Sequence, residues 1–444
     1  MPPSRTEGPT PSRPLARVVS RTTLRLAVVA AAAASTCLTL VVAEKLLVHG
    51  FFDLRVYRGA VMWWLHGRSL YSFHTGRGEY GFTYPPFAAA FMVPLAWVTF
   101  RTAVVLTTLA SAVAVVAITW RLVAPAARRH GWTPWFAVAL AVPVVLAMDP
   151  IRITFGYGQV NMLIFAMVLL DVVALRRGWA WGGAAIGLAT AIKLTPGLFI
   201  VFLVLIGRRR AAAVATGTFL GATLLGLVVD GAASWQYWTH ALWDTSRVGQ
   251  LDKPANQSLL GMLAHVADPG QPDRRVWAVL AGAALVVGMW RAVRAYRCGD
   301  DLVAVTLVGL TACLVSPISW THHLYWVVPA VVVLLDVAAG TPLHGPSSEW
   351  WRRRARVVAA GAGVLALVVA VLFILDMPGE FLPPAGAAPG RAPAEILGSA
   401  YTFIVLALVA LLPARRTVAV EGGDEAVDEP LGLERPGSAG RHPA

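Results

Sequence analysis

Charge is scarce in this chain. Only 14 % of its 444 residues are Asp, Glu, Lys or Arg, while 57 % are hydrophobic. Soluble domains carry about 25 % charged residues, so this composition excludes an ordinary water-surrounded globule. Cysteine is nearly absent: there are three, far apart, with Cys37 and Cys313 inside apolar runs where a small soft side chain packs. No disulfide framework and no metal cluster are expected from them. The chain shows no internal repeat, which argues against a duplicated transporter architecture. The apolar run 24–43 follows Arg13, Arg17, Arg21 and Arg25 as a signal peptide would, yet it has no convincing cleavage site. At about twenty residues it reads as an uncleaved first span.

Long hydrophobic runs are what the chain has in abundance. Spans are expected near 24–43, 84–98, 102–123, 133–148, 159–175, 179–206, 211–229, 276–294, 302–315, 323–338, 356–375 and 399–413. They make an all-α polytopic membrane protein of about twelve transmembrane helices. The run 179–206 is overlong and interrupted by Lys193, Thr195, Pro196 and Gly197, so it is one kinked helix or two half-helices. The formal charge of +13 would suit nucleic acid in a soluble protein, but here the arginines sit in short clusters between apolar runs, as cytoplasmic membrane flanks do. No nucleic-acid partner is expected. The clusters at 208–210, 291–297, 352–356 and 415–416, with Arg13 to Arg25, place both termini in the cytoplasm. Residues 44–83, 230–275, 316–323 and 376–398 then face the extracytoplasmic side of a plasma membrane. The clusters Arg128, Arg129 and Arg176, Arg177 fit poorly if 84–98 and 102–123 both cross and 179–206 crosses once. The Pro/Ser/Arg-rich 1–23 and the acidic Gly/Pro-rich 414–444 read as disordered cytoplasmic tails around a transmembrane unit of 24–413. Stretches 56–70 and 233–243, where tryptophans alternate with polar residues, read as extracytoplasmic juxtamembrane helices.

Ionisable residues beside or within such runs are functional candidates by default. Asp53, in "FFDLRVYRGA" directly after the first span, either caps the helix that follows or acts as a catalyst, and both roles fit one residue. Arg55 and Arg58 either orient it or bind phosphate, and Tyr57 lies between them. "YGFTYPPF" brings Tyr84 to the membrane surface ahead of a proline-started helix. "DPIRITFGYGQVN" sets Asp149, Arg152, Tyr157, Gln159 and Asn161 around glycines at a helix entrance, where Asp149 caps or pairs with Arg152. Lys193 stands in an apolar stretch and either snorkels or binds an anion. "KPANQSLLGM" carries Asn256 and Gln257, with Asn256 or Ser258 able to cap the next helix. "SPISWTHHLYW" carries His322 and His323, whose adjacency is poor geometry for a shared metal.

Six of these segments in order, "DLRVYRGAVMWWLHGRSLY", "TYPPFAAAFMVPLAWV", "FGYGQVNMLI", "GLATAIKLTPGLF", "NQSLLGML" and "VSPISWTHHLYW", resemble glycosyltransferase family 87 over about residues 24–413. These are the polyprenol-phosphate-mannose-dependent α-1,2-mannosyltransferases of actinobacteria. The resemblance implies a GT-C fold with its site at the extracytoplasmic face, a polyprenyl-phosphate-mannose donor and a glycolipid acceptor of phosphatidylinositol mannoside, lipomannan or lipoarabinomannan type. It implies Asp53 as general base, His322 beside the reacting groups and Lys193 as a cation for the donor phosphate. A β-linked donor and an α-linked product require one in-line displacement with inversion. Arg55, Tyr57, Tyr84, Arg152, Gln159, Asn161, Asn256, Gln257 and His323 complete the expected substrate-binding set. No DxD-type carboxylate pair stands at an external position, since Asp300 and Asp301 adjoin the 291–297 cluster, so neither metal nor other cofactor is expected. The alternatives are a GT-C transferase of another lipid-linked sugar, such as arabinofuranose, or a glycolipid transporter or flippase.

Overall fold

The computed structural model describes residues 50–75, 80–267, 271–344, 349–376 and 397–416, with positions 28, 30, 31 and 34. The expected first span therefore lies almost wholly outside the described residues, as do most of the segment 376–398 and the tails. Among the described residues the architecture is helical, and extended pairing is limited to three isolated bridges, His74 with Gly81, Asn256 with Trp320 and Leu343 with Arg415.

Helix α1 (Phe52–Leu65) lies at one pole of the bundle with α2 (Pro86–Ala96) packed on it. From there α3 (Phe100–Arg129) runs to the opposite pole, where Arg129 Nη2 is 2.7 Å from Asp336 Oδ2. The chain returns through α4 (Pro134–Ala147) and α5 (Asp149–Tyr157), which meet at a 68° bend. Helix α6 (Asn161–Arg176) goes back to the far pole and pairs Arg176 with Asp301 at 2.8 Å. Helix α7 (Ala184–Ile192) returns to Lys193, and α8 (Gly197–Leu205) descends to Arg208, whose Nε donates to Tyr296 Oη. Helix α9 (Arg209–Val229) climbs to Asp230, which caps the short α10 (Gly231–Gln236) and accepts from Trp64 Nε1 of α1. After α11 (Leu259–Val266) the chain descends in α12 (Arg274–Arg297) and rises in α13 (Asp301–Val315). A 3-10 turn, Thr321–Trp326, leads into α14 (Val327–Ala338), which descends to Asp336; α15 (Glu349–Leu375) rises and α16 (Ala400–Leu411) descends to Arg415.

Two expected spans take a different form. The segment 84–98 stays at the pole of α1: its helix has eleven residues, Tyr84 Oη lies 2.8 Å from Tyr57 Oη, and Arg58 donates to Leu95 O and Val98 O. The run 179–206 is two helices of nine residues, each about 14 Å long. Lys193 has extended backbone, φ −148° and ψ 121°, and Pro196 lacks the N–H that would carry one helix through. These two changes bring Arg129 and Arg176 to the pole that also holds Arg208 and Arg291, which removes the misfit left by the charge pattern.

Among the described residues, five helical runs are long and apolar enough to cross a membrane singly, Phe100–Arg129, Arg209–Val229, Arg274–Arg297, Thr321–Ala338 and Arg353–Leu375, and the bent pair α4–α5 makes six. The chain is a membrane protein. Small residues let the shorter helices approach closely. A Cβ at Gly187 of α7 would stand 2.3 Å from Ala215 O of α9, and one at Gly309 of α13 would stand 2.0 Å from the Trp326 ring. In lipid, where the solvent itself is apolar, such close contacts supply much of the association energy.

The pole opposite α1 is tied by buried charge. Arg415 is 2 % exposed and bonds Asp300 through its backbone N, Nε and Nη2 at 2.8–2.9 Å and Asp336 through Nη1 at 2.8 Å. Asp336 also receives Arg129 and His130. The described fold thus runs through Arg416, whose backbone N bonds Pro342 O.

Candidate active site

The site forms where the start of α1 meets the end of α5. Gly50 and Phe51 both adopt left-handed backbone, φ 58° and 55°, and Phe51 N donates to Gly156 O at 3.0 Å. For Phe51 that conformation costs roughly 1–2 kcal/mol, held by the surrounding contacts and located two residues before the candidate base. Gly158, at φ +67°, ends α5, and a Cβ there would stand 2.8 Å from Leu54 Cβ. Close approach at this point requires glycine.

Phe51 precedes α1 and the helix start has no side-chain cap. The cap reading of Asp53 is therefore set aside: the residue lies inside the first turn, where the helix dipole favours its charge. Its Oδ2 instead accepts from Gln159 Nε2 at 2.7 Å, while Oδ1 takes no hydrogen bond among the described residues. Gln159 is buried, and its Oε1 accepts from Tyr57 Oη at 2.8 Å and Tyr84 Oη at 3.2 Å. Those two hydroxyls are 2.8 Å apart. With the carbonyl taken by two phenols, the amide nitrogen must be the group facing Asp53. The same Nε2 lies 3.4 Å from His322 Nε2.

Burial raises the Asp53 carboxyl from its ordinary 3.8 to about 6, against the lowering effects of the Gln159 hydrogen bond and the Lys193 ammonium. Burial likewise pushes the Tyr57 phenol well above its ordinary range, which keeps it a proton donor to Gln159.

A second set of contacts joins this centre to α6, α7 and the turn before α14. Asn161 is fully buried; its Nδ2 donates to His322 O at 2.8 Å and its Oδ1 accepts from Lys193 Nζ at 3.0 Å. Lys193 Nζ also lies 2.9 Å from His323 Nε2 and 5.6 Å from the centre of the Tyr84 ring. Its described partners are neutral, so the ammonium faces no carboxylate in direct contact among the described residues. Tyr157 stands edge-on to His322 at 5.6 Å. Beside Lys193 a cleft opens between α8 and α13, lined by Lys193, His323, Thr195, Phe199, Ala312 and Trp326. It is cationic at one end and apolar along its walls.

Asp53, Tyr57, Tyr84, Gln159, Asn161, Lys193, His322 and His323 thus converge from five separate stretches of sequence. Four expected site residues do not join them. Arg152 is buried against Asp149 Oδ1 at 3.1 Å and also donates to Ala147 O and Ile374 O, tying α5 to α15. Asn256 holds the turn before the histidines, accepting from Ser319 N and donating to Leu251 O. Gln257 donates to Pro254 O and Gly398 O and accepts from Thr402 N, which joins the second loop to α16. Arg55 projects to the other side of α1, its Cζ 4.4 Å above the Phe100 ring; neither it nor Arg58 touches Asp53. Lys253, in the "KPANQS" stretch and outside the expected site, contacts Tyr80 Oη, and the Tyr80 ring meets Phe52 at 5.3 Å beside Asp53. Its signal was its rarity, since the chain has three lysines, at 45, 193 and 253.

The family model described as glycosyltransferase family 87 matches residues 82–317. The chain belongs to glycosyltransferase family 87. A polyprenol-phosphate-mannose-dependent α-(1-2)-phosphatidylinositol mannoside mannosyltransferase of Mycolicibacterium smegmatis is 31 % identical over 417 residues, 87 % of this chain and 89 % of the relative. Its namesake from Mycobacterium tuberculosis is 36 % identical over 302 residues, 64 % of this chain and 69 % of the relative. A polyprenol-phosphate-mannose-dependent α-(1-2)-phosphatidylinositol pentamannoside mannosyltransferase of Mycobacterium tuberculosis is 36 % identical over 328 residues, 72 % of each chain. No solved structure matches the chain. Within this family-87 chain the eight convergent residues include both of the positions expected to be catalytic, Asp53 and His322.

Proposed function

We propose that this family-87 enzyme transfers mannose from polyprenyl-phosphate-mannose to a phosphatidylinositol-anchored mannoside, forming an α-1,2 linkage with inversion. The observation that carries this reading is the convergence, in a chain related to enzymes of that name, of Asp53 and Lys193 at one site where, among the described residues, one Asp53 oxygen takes no hydrogen bond and the Lys193 ammonium touches no carboxylate. The acceptor hydroxyl approaches Asp53 Oδ1, which takes its proton as the new bond to the mannosyl anomeric carbon forms. On the opposite face of the sugar the bond to the phosphate oxygen breaks. The departing phosphodiester becomes a phosphomonoester and gains negative charge, which Lys193 offsets and a proton on His322 relieves. A carboxyl titrating near 6 is ionised at neutral pH yet more basic than an ordinary aspartate, which suits a base accepting a proton late in an oxocarbenium-like transition state.

The fold is read as a GT-C bundle. Passes between the two poles are made by α3, the α4–α5 pair, α6 to α9, α12 and α13 to α16, and the apolar run 24–43 adds another, which supports about twelve. The arginine-rich pole is assigned to the cytoplasm, which puts the site at the extracytoplasmic face and both tails inside.

The test is transfer by the purified full chain, given radiolabelled polyprenyl-phosphate-mannose or a polyprenyl-phosphate-arabinose together with a panel of envelope lipids, followed by linkage determination. An α-1,2-mannosylated phosphatidylinositol mannoside is expected. Exclusive use of the arabinosyl donor, or a different linkage, contradicts the proposal.

A further inference from the structure

Helix α1 presents two chemistries on two sides. Successive residues turn by about 100°, so with Asp53 on the inner side Arg58 points about 140° and Arg55 about 200° away. On that outer side an open cleft of about 300 Å³ is lined, among the described residues, by Arg55, Arg58, Gly59 and Phe100. Arg55 is exposed, stacks on Phe100 and uses Nε on Gly50 O at 2.8 Å. Arg58 uses Nε on Leu95 O at 3.1 Å and Nη2 on Val98 O at 2.8 Å. Both guanidinium groups are thus oriented by backbone carbonyls and keep further N–H donors, with no carboxylate bound among the described residues. The cleft also adjoins the first turn of the thirty-residue α3, whose positive end adds to the field. Trp97, 76 % exposed, marks this as the level of the membrane interface.

The geometry points to this cleft as the seat of the acceptor's phosphodiester, with the glycan passing round the start of α1 to Asp53. The inference rests on the acceptor being a glycerophospholipid, as proposed above. A phosphodiester matches the planar donor fork of arginine. Cations on the extracytoplasmic pole, where lysine and arginine are ordinarily sparse, find such a partner in a lipid headgroup at that depth. A consequence concerns specificity. Phosphate and base are separated by about the width of one helix, 10–12 Å, so α1 acts as a ruler that favours acceptors already carrying several sugars over bare phosphatidylinositol.

The test compares full-length wild type and Arg55→Gln on two acceptors with the same oligomannoside, one on phosphatidylinositol and one on an octyl aglycone without phosphate. Wild type is expected to prefer the first in kcat/KM. Arg55→Gln is expected to erode that preference by about tenfold or more, the scale of one charge-assisted hydrogen bond, and Arg55→Lys to restore part of it. Equal losses on both acceptors, as a merely structural role would give, overturn the inference, and so does an unchanged preference. Thermal stabilisation by phosphatidylinositol relative to diacylglycerol, absent in Arg55→Gln, reads the cleft without turnover. If wild type mannosylates neither acceptor the proposed function fails, and this binding arm still decides the cleft. Stabilisation by millimolar inorganic phosphate equal to that by phosphatidylinositol indicates a site for free anions and overturns the lipid assignment.

Discussion

Gln159 decides how Asp53 works. Its amide gives the carboxylate one firm hydrogen bond, and its carbonyl is locked by Tyr57 and Tyr84; the carboxylate's second oxygen takes no hydrogen bond among the described residues, which on the proposed mechanism leaves it for substrate. With the Asp53 carboxyl raised to about 6, the proposed base is increasingly protonated, and on the proposed mechanism inactive, as pH falls through that value. The expected pH profile of kcat/KM, which reports the free enzyme, rises through an acid limb near pH 6 and levels above it. Gln159→Glu sets a second carboxylate beside the first, and two such groups cannot both ionise cheaply. Its acid limb is expected to move upward, with rate at neutral pH lost and partly recovered at higher pH; an unmoved limb separates Asp53 from the titration. Much of this site was legible in sequence because polar residues inside apolar stretches are rare and costly, which marked Gln159, Asn161 and Lys193. Arg152, Asn256 and Gln257 carried the same mark for a different reason: each satisfies backbone carbonyls or a carboxylate where the chain turns, and residue type alone does not separate such a brace from a ligand-facing group.

At the scale of elements, hydropathy locates helices but does not show which way they run. Eleven apolar residues of α2 look like a span, yet they lie along α1 because Arg58 caps their carbonyl end and Tyr84 is held at Tyr57. The α7–α8 hairpin is what carries Lys193 into the site, and its depth is fixed by glycine contacts with α9. Gly187→Ala would place a methyl 2.3 Å from Ala215 O and 2.8 Å from Thr218 Cβ, an overpacking expected to cost about 1–3 kcal/mol. Because Lys193 lies six residues further along, the expected result is a lower thermal midpoint together with a raised KM for donor. Acceptor KM should change less, and parallel effects on both substrates would argue that the hairpin does not position the donor cation.

Over the whole molecule, chemistry and anchorage occupy opposite poles. The arginine-rich pole is closed by Arg415, Asp300 and Asp336, none more than 3 % exposed. Charge counting marked this end as cytoplasmic but did not reveal the clasp, since Arg415 follows Asp300 by more than a hundred residues and no local pattern joins them. Arg415→Ala would strip Asp300 of two hydrogen bonds and Asp336 of one. Leaving the buried Asp300 carboxylate without its guanidinium partner is expected to cost about 3–5 kcal/mol, measured as a fall in thermal stability, while the surviving folded enzyme keeps its acid limb near pH 6. A shifted limb would show the two poles to be coupled. The most direct measurement on the intact enzyme is single-turnover mannosyl transfer by Asp53→Asn in membranes, beside a check of folding and donor binding. With the base replaced by an amide that cannot take the acceptor proton, the variant is expected to fold and bind donor while transfer falls by about a hundredfold or more; turnover at the wild-type rate would contradict the role of Asp53.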